Sequence, residues 1–402
     1  MHITLNVMHL MLTYYTIRPK VVRMINIFQP SLGEEELLAI KDVFNSNWIG
    51  KGRQVKEFET SFSKIMNQDH SHFTSTSSCT EAIFLASELF DFNKEDEIIV
   101  PSISFVAVGS AVLKSQAKLI ISDIDPCTLN ITPEILKRNI SMSTKAVIIN
   151  HYGGLGCEIE EIADICNKNN IILIEDSACA ISSKYKGKPL GTFGDMGFWS
   201  FDPMKIITTG DGGMVYLKDL DKMKIAKETL YLGLAAKGKS GLDKTISNKT
   251  NWWEIEINRL GRRSIMNNIS GAIGNVQLKQ LDAFINKRRS IAEMYRAKLS
   301  ELTWLRMPPQ ETIENVSSNY YFWIQLDKRN ELASYLLRNG IYTTFRYWPL
   351  NKIEQFGQTN LELESSDWVS KNTLNIPIHQ SLSKDDVSKI IDLILNFGKE
   401  FY

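Results

Sequence analysis

Between Glu97 and Leu217 the chain repeats one unit, a short apolar run followed by a stretch with helical spacing. The runs are EIIVP, AKLIISDID, KAVIINH, NIILIED, GFWSF and GGMVYL, and segments such as EIEEIADICNKN separate them. Strand and helix in alternation close as βαβ units around a mostly parallel sheet. The runs are nearly continuous in Val, Ile and Leu, the pattern of strands covered by helices on both faces. The expected fold class is therefore α/β: a large domain whose central, mostly parallel sheet is flanked by helices.

A second feature adds a smaller unit. From about Asn268 to Leu302 apolar residues recur at helical spacing (Ile273, Val276, Leu281, Phe284, Ile285, Ile291, Tyr295), with charges such as Lys287, Arg288 and Arg289 between them. That helix is long enough to connect two domains. After Pro308 and Pro309 a shorter alternation follows: a strand from Tyr320 to Leu326, a helix from about Asn330 ending at Gly340, a strand over IYTTFRYW, and a last helix from about Ser383. This reads as a small C-terminal α/β domain. The expected division is 24–275 for the large domain and 276–402 for the connector helix and small domain. Residues 1–23, ahead of Met24, read as an extension without a catalytic part and poorly ordered.

Charge and cysteine content narrow the partners. With 46 basic and 46 acidic residues the formal net charge is zero, so no overall field recruits nucleic acid or an anionic membrane, and any anion site must be local. No run reaches the roughly 18 apolar residues of a membrane span, and the first residues lack the order of a signal peptide. Cys79, Cys127, Cys157, Cys166 and Cys179 form no CxxC pair and are odd in number, which points to a reducing, cytoplasmic setting. No metal site is expected.

Three places could carry chemistry. Ser77-Ser78-Cys79-Thr80-Glu81 precedes the helical run AIFLASELF; Ser78 and Glu81 have the spacing of a capping box, and a helix start bearing hydroxyls on Ser78 and Thr80 is equally a phosphate site. Glu175-Asp176 ends an apolar strand, where parallel sheets bind ligands, although acidic residues also begin loops there. Lys205 lies in GDMGFWSFDPMKIITTGDGG; such a lysine either reaches for the surface or, if desolvated, becomes a nucleophile toward a carbonyl. Singly, each remains open. Together, a phosphate-binding helix start, an acid at a strand end and a lysine 29 residues further on are the phosphate anchor, pyridinium partner and Schiff-base amine that pyridoxal 5′-phosphate requires.

At this point the sequence resembles the DegT/DnrJ/StrS-type sugar aminotransferases, a branch of the fold type I pyridoxal-phosphate enzymes. From about Asn26 onward the resemblance runs through PSLGEEELLAI, NWIGKGRQVKEFETSF, SSCTEA, VPSISFVAV, DIDPCTLNI, NHYGG, EDSACA, GDMGFWSF, TTGDGGM, IGNVQLKQLD and IPIH. It implies that Lys205 binds the cofactor covalently and Asp176 pairs with the pyridine nitrogen. It further implies that Ser78, Cys79, Thr80 and Ser200 hold the phosphate, and that Phe105 covers the ring. It also implies a homodimer with shared active sites.

Departures from the family pattern are equally specific. Cys179 stands where the family often has the Gln that contacts the cofactor's phenolic oxygen, Ile181 stands at the following His position, and Ile206 replaces an Asn. Arg263 lies in the loop that in the family reaches the neighbouring subunit's cofactor phosphate, and could act there or be an exposed structural arginine. Trp48, Arg346 and Tyr347 are candidates for substrate binding, each with an ordinary packing alternative.

The expected reaction moves an amino group from glutamate or glutamine to a keto-sugar, nucleotide-linked, in amino-sugar biosynthesis. An unlinked keto-sugar or keto-sugar acid is the alternative substrate, suggested by Arg262-Arg263 and FDPMK. A pyridoxal-dependent sugar dehydratase would have His in place of Lys205, and a non-catalytic cofactor-binding protein would not need Lys205, Asp176 and Ser200 together.

Overall fold

The computed structural model describes residues 23–234 and 255–402. The extension up to residue 22 and the tryptophans Trp252 and Trp253 lie outside the described residues.

Seven strands form the main sheet: β1 (Phe73–Thr76), β2 (Glu97–Pro101), β3 (Lys118–Ser122), β4 (Thr144–Asn150), β5 (Ile172–Asp176), β6 (Met196–Ser200) and β7 (Gly213–Leu217). Their spatial order is β1-β7-β6-β5-β4-β2-β3. The five from β6 to β3 run parallel, while β7 is antiparallel to both neighbours. Alternate residues of one strand enter different cores: Ile98 and Val100 pack with the helix Cys79–Leu89, whereas Ile99 packs with the helix Ile159–Lys168. That two-sided burial is why the strands read as unbroken apolar runs.

Strand β1 was not foreseen. Its sequence FTST looks polar, yet all four residues are buried, because β7 covers its edge and the helix Arg53–Ile65 covers Phe73.

Register decides where a site can form. Asn150 pairs with Asp176, Asp176 with Phe198, Ser200 with Gly213, and Gly213 with Thr76. The last residues of β1, β4, β5 and β6 and the first of β7 are thereby gathered on one edge of the sheet, the carboxyl edge at which open α/β sheets bind ligands.

The long helix spans Asn268–Leu299, starting where the Asn267 side chain accepts the Ser270 amide. At about 1.5 Å per residue it is about 48 Å long. It packs on the helices Glu34–Asn45 and Arg53–Ile65 and, toward its other end, on Lys384–Phe401. The C-terminal part pairs β8 (Phe322–Gln325) antiparallel with β9 (Thr373–Ile376), and the helices Arg329–Arg338 and Lys384–Phe401 close a core around Phe322, Ile324, Leu336 and Ile390. Ser383 and Asp386 form the capping box of the final helix.

The expected strand over Ile341–Trp348 does not form. Only Ile341 and Thr344 make bridges, to Ile25 and Asn375, because two different segments compete for the same stretch of backbone.

Arg288 lies inside this packing, 1% exposed, and no carboxylate pairs with it among the described residues. Its Nη1 donates to the carbonyls of Asn319 (3.3 Å), Tyr320 (3.4 Å) and Ile378 (2.7 Å). Burial lowers its pKa to about 10.

Candidate active site

A cavity of about 140 Å³ opens at the carboxyl edge, lined by Ser78, Cys79, Thr80, Phe105, Asp176, Cys179, Ser200 and Lys205, together with Arg346 and Tyr347. Ten of the residues singled out by sequence thus meet in one place. Trp48 and Arg263 do not. The Trp48 indole donates to the Lys51 carbonyl at 3.0 Å, and Arg263 is exposed with its guanidinium 5.7 Å from the Tyr231 ring.

At one end of the cavity is the start of the helix Cys79–Leu89. Ser78 caps it by accepting the Glu81 amide at 3.3 Å. The reciprocal half of the expected capping box is missing: the Glu81 carboxylate is drawn away to Arg262, 2.6 Å distant. The amides of Cys79 and Thr80 have no acceptor among the described residues, so two donors at a positive helix end face the cavity. Gly213 makes room for this approach. A Cβ there would lie 2.9 Å from the Cys79 nitrogen and 2.6 Å from Thr76 Oγ1.

The two acids that end β5 part company, as neighbours on a strand must. Glu175 is fully buried on the far side, accepting the amides of Gly191, Phe193 and Gly194 and lying 3.1 Å from His151 Nε2. Asp176 faces the cavity, with Oδ1 accepting the Ala178 amide at 3.0 Å and no partner for Oδ2 among the described residues. Burial raises its pKa, opposed by that amide and by Lys205. A buried carboxyl of this kind is stabilised by any cation that binds beside it.

Lys205 sits in the loop between β6 and β7, which is closed by Phe201 N–H to Gly212 O and Thr209 N–H to Phe201 O, both 3.0 Å. Its Nζ is 3.5 Å from Cys179 Sγ and 4.9 Å from the centre of the Tyr320 ring. Burial works against the ammonium, and the acidic groups beside it, Cys179, Tyr320 and Tyr347, work in its favour, so the net direction for Lys205 is upward. Phe105 lies at the mouth, its ring 5.6 Å from that of Tyr347. The Arg346 guanidinium lies over Phe28 at 5.1 Å, with Nη2 3.5 Å from Met204 Sδ and no carboxylate paired with it among the described residues.

Sequence reasoning missed Tyr320, Asp202 and His151 as parts of this site. Tyr320 belongs to the aromatic run NYYFW, which read only as a strand; His151 stands in NHYGG, where it could have been noticed.

Fold and site together define an α/β enzyme that works with an amine and a buried acid at the edge of its sheet. The chain belongs to the DegT/DnrJ/EryC1/StrS aminotransferase family, whose sequence profile matches residues 30–395. It is 42% identical over 371 residues to a dTDP-4-dehydro-2,3,6-trideoxy-D-glucose 4-aminotransferase of Saccharopolyspora spinosa, covering 92% of this chain and 95% of the relative. To the GDP-perosamine synthase of Escherichia coli O157:H7 it is 30% identical over 379 residues, covering 94% and 99%. The solved aminotransferase TlmJ from Streptoalloteichus hindustanus superposes with a TM-score of 0.88 at 40% identity, covering 94% of this chain and 99% of that one.

The protein is a pyridoxal 5′-phosphate-dependent aminotransferase. The cavity suits that cofactor. The space kept open by Gly213, the two unclaimed amides and the spare oxygen of Asp176 are the features an anionic group and a cationic ring nitrogen need. Among the described residues no helix is long and apolar enough to cross a membrane.

Proposed function

We propose that this aminotransferase moves an amino group from glutamate or glutamine to the keto group of a nucleotide-linked sugar. The observation that carries the reading is the meeting of Lys205 Nζ, the Asp176 carboxylate and the Ser78–Thr80 helix start around one cavity. Relatives named for nucleotide-linked sugars, at 42% and 30% identity, support the substrate class.

When bound, pyridoxal phosphate supplies an electron sink for the carbon that loses or gains a proton. The protein's part follows from its residues. Ser78, Cys79, Thr80 and Ser200 would hold the phosphate, Asp176 would hold positive charge on the ring nitrogen, and Phe105 would cover the ring. Lys205 would bind the cofactor through Nζ, and its free amine would carry a proton to and from the substrate carbon. Cys179 stands beside that amine. Arg346 and Tyr347 face the substrate.

The working unit is a homodimer. Arg263 and Trp48, both outside the cavity of their own chain, then serve the partner's site. Exposed Leu37, Leu38 and Phe44 on the helix Glu34–Asn45 give the kind of apolar surface such an assembly covers. The division into 24–275 and 276–402 and a cytoplasmic location, favoured by five free cysteines, belong to the same reading.

The test loads the enzyme with the amine form of the cofactor and offers nucleotide-linked and free keto-sugars, following return of the aldehyde form's absorbance. Return with a nucleotide-linked sugar, and its loss in Lys205→Ala, is the expected result. Return only with free sugars would sink the substrate class, and turnover by Lys205→Ala would sink the mechanism.

A further inference from the structure

Cys179 departs from the family pattern, and its surroundings give the departure a use. Its Sγ lies 3.5 Å from Lys205 Nζ on one side and 3.9 Å from the Tyr347 hydroxyl on the other. The Tyr347 hydroxyl in turn lies 3.4 Å from that of Tyr321, which donates to it. These four groups form a partly buried line leading away from the reacting amine.

One arrangement of the protons gives every donor in the line an acceptor. With Tyr321 donating to Tyr347, the Tyr347 O–H is free to donate to Sγ, and Lys205 Nζ donates to Sγ from the other side. The sulfur then receives two donors. Were the thiol to donate instead, the Tyr347 oxygen would accept from both Cys179 and Tyr321 and its own proton would be left without an acceptor in this line. A sulfur facing two donors is arranged for the thiolate.

We infer that Cys179 and Tyr347 together hold the proton that Lys205 must give up and take back, with Cys179 as the group in contact with Nζ and Tyr347 as the positioning residue that acts through it. The step is Cys–S–H with H₂N–Lys giving Cys–S⁻ with ⁺H₃N–Lys: one S–H bond breaks, one N–H bond forms, and nothing leaves the pair. A glutamine at position 179 could not make this exchange. The inference rests on the reading of Lys205 as the cofactor's amine.

The groups facing the pair act in both directions. Asp176 opposes a thiolate at Cys179, and burial opposes it most, while Lys205 and the Tyr347 hydroxyl favour it; the net effect leaves the thiol above its ordinary range. Cys79, at the helix start, is pushed further up, with Asp176 and Asp211 adding to its burial. Tyr320 and Tyr152, which also line the cavity, are held neutral by burial, opposed at Tyr320 by Lys205, Arg288 and Arg346. Tyr347 is therefore the nearby hydroxyl whose removal alters the pair without altering net charge.

The test uses the cofactor-free protein, alkylated with iodoacetamide over a range of pH, with the label on Cys179 separated from the other cysteines by peptide mass mapping. The direct hydrogen bond from Tyr347 to a charged acceptor predicts that Tyr347→Phe slows labelling of Cys179 near pH 7 by about tenfold. Tyr321→Phe slows it less, and labelling of Cys79 does not change. A second arm follows the visible absorbance of the loaded enzyme against pH, whose midpoint moves in Tyr347→Phe. Equal or faster labelling in both variants, or an unmoved midpoint, overturns the inference. Failure of the wild-type enzyme to take up cofactor would instead refute the reading of Lys205, while the labelling arm still judges the pair.

Discussion

Gly213→Ala tests the phosphate cradle through the backbone alone. Gly213 begins β7 against the end of β1, and an added Cβ would sit 2.6 Å from Thr76 Oγ1 and 2.9 Å from both the nitrogen and the Cα of Cys79. Two of these atoms are backbone, and the Thr76 hydroxyl is engaged with the Ser78 carbonyl at 2.8 Å, so none can swing aside. Relief has to come from moving the helix start away from the strand. Overpacking of this kind costs about 1–3 kcal/mol of stability. Displacing an amide from a phosphate removes one hydrogen bond to a charged group, about 1.5–3 kcal/mol, or roughly 10- to 100-fold in cofactor affinity. Fluorescence titration of the cofactor-free protein measures the affinity, and urea denaturation the stability. Gly33→Ala serves as control, since a Cβ there meets nothing within 4 Å. Unchanged cofactor affinity in Gly213→Ala would refute the assignment of the phosphate to this helix start.

Three further outcomes are expected. Arg346→Ala raises the apparent Michaelis constant for the amino donor or the keto-sugar at least tenfold with cofactor affinity intact; unchanged constants for both would remove Arg346 from the site. His379 is buried and, through burial and the nearby Arg288, its pKa is lowered to about 4. The unfolded chain takes up that proton near pH 6.5 while the folded one refuses it, so stability is whole above about pH 6.5 and falls by roughly 2 kcal/mol between pH 6.5 and pH 5. His379→Asn flattens that part of the urea-measured profile, and an unchanged slope would refute the attribution. Sedimentation at micromolar concentration gives a dimer; a fully active monomer would defeat the shared site.

The large sheet was legible because its signal is local. A strand buried on both faces needs no partner to be recognised, and the register then follows from parallel packing. The same holds for Asp176, the last residue of such a strand, and for Lys205, in the loop that follows the next one. Strand β1 escaped because its burial comes from β7 and a helix, neither of which marks FTST itself. The strand expected at IYTTFRYW failed for the opposite reason: its β-forming residues are real, but Ile25 and Asn375 each take one bridge and no continuous partner exists. Tyr320 and Tyr347 meet Lys205 from more than a hundred residues away in the chain, and no spacing rule reaches that far. The half-formed capping box at Ser78 likewise depended on Arg262, 181 residues from Glu81.

Arg288 has a consequence for the order of assembly. A guanidinium with no acid partner can leave water only when enough carbonyls are already in place to receive it. Its shortest bond goes to Ile378, which emerges 90 residues later in the chain. Until that carbonyl arrives, the middle of the long helix carries an unmet charge on the face it must bury. The helix is thus kept from settling early into a half-made protein, and docking waits for the last strand to be complete.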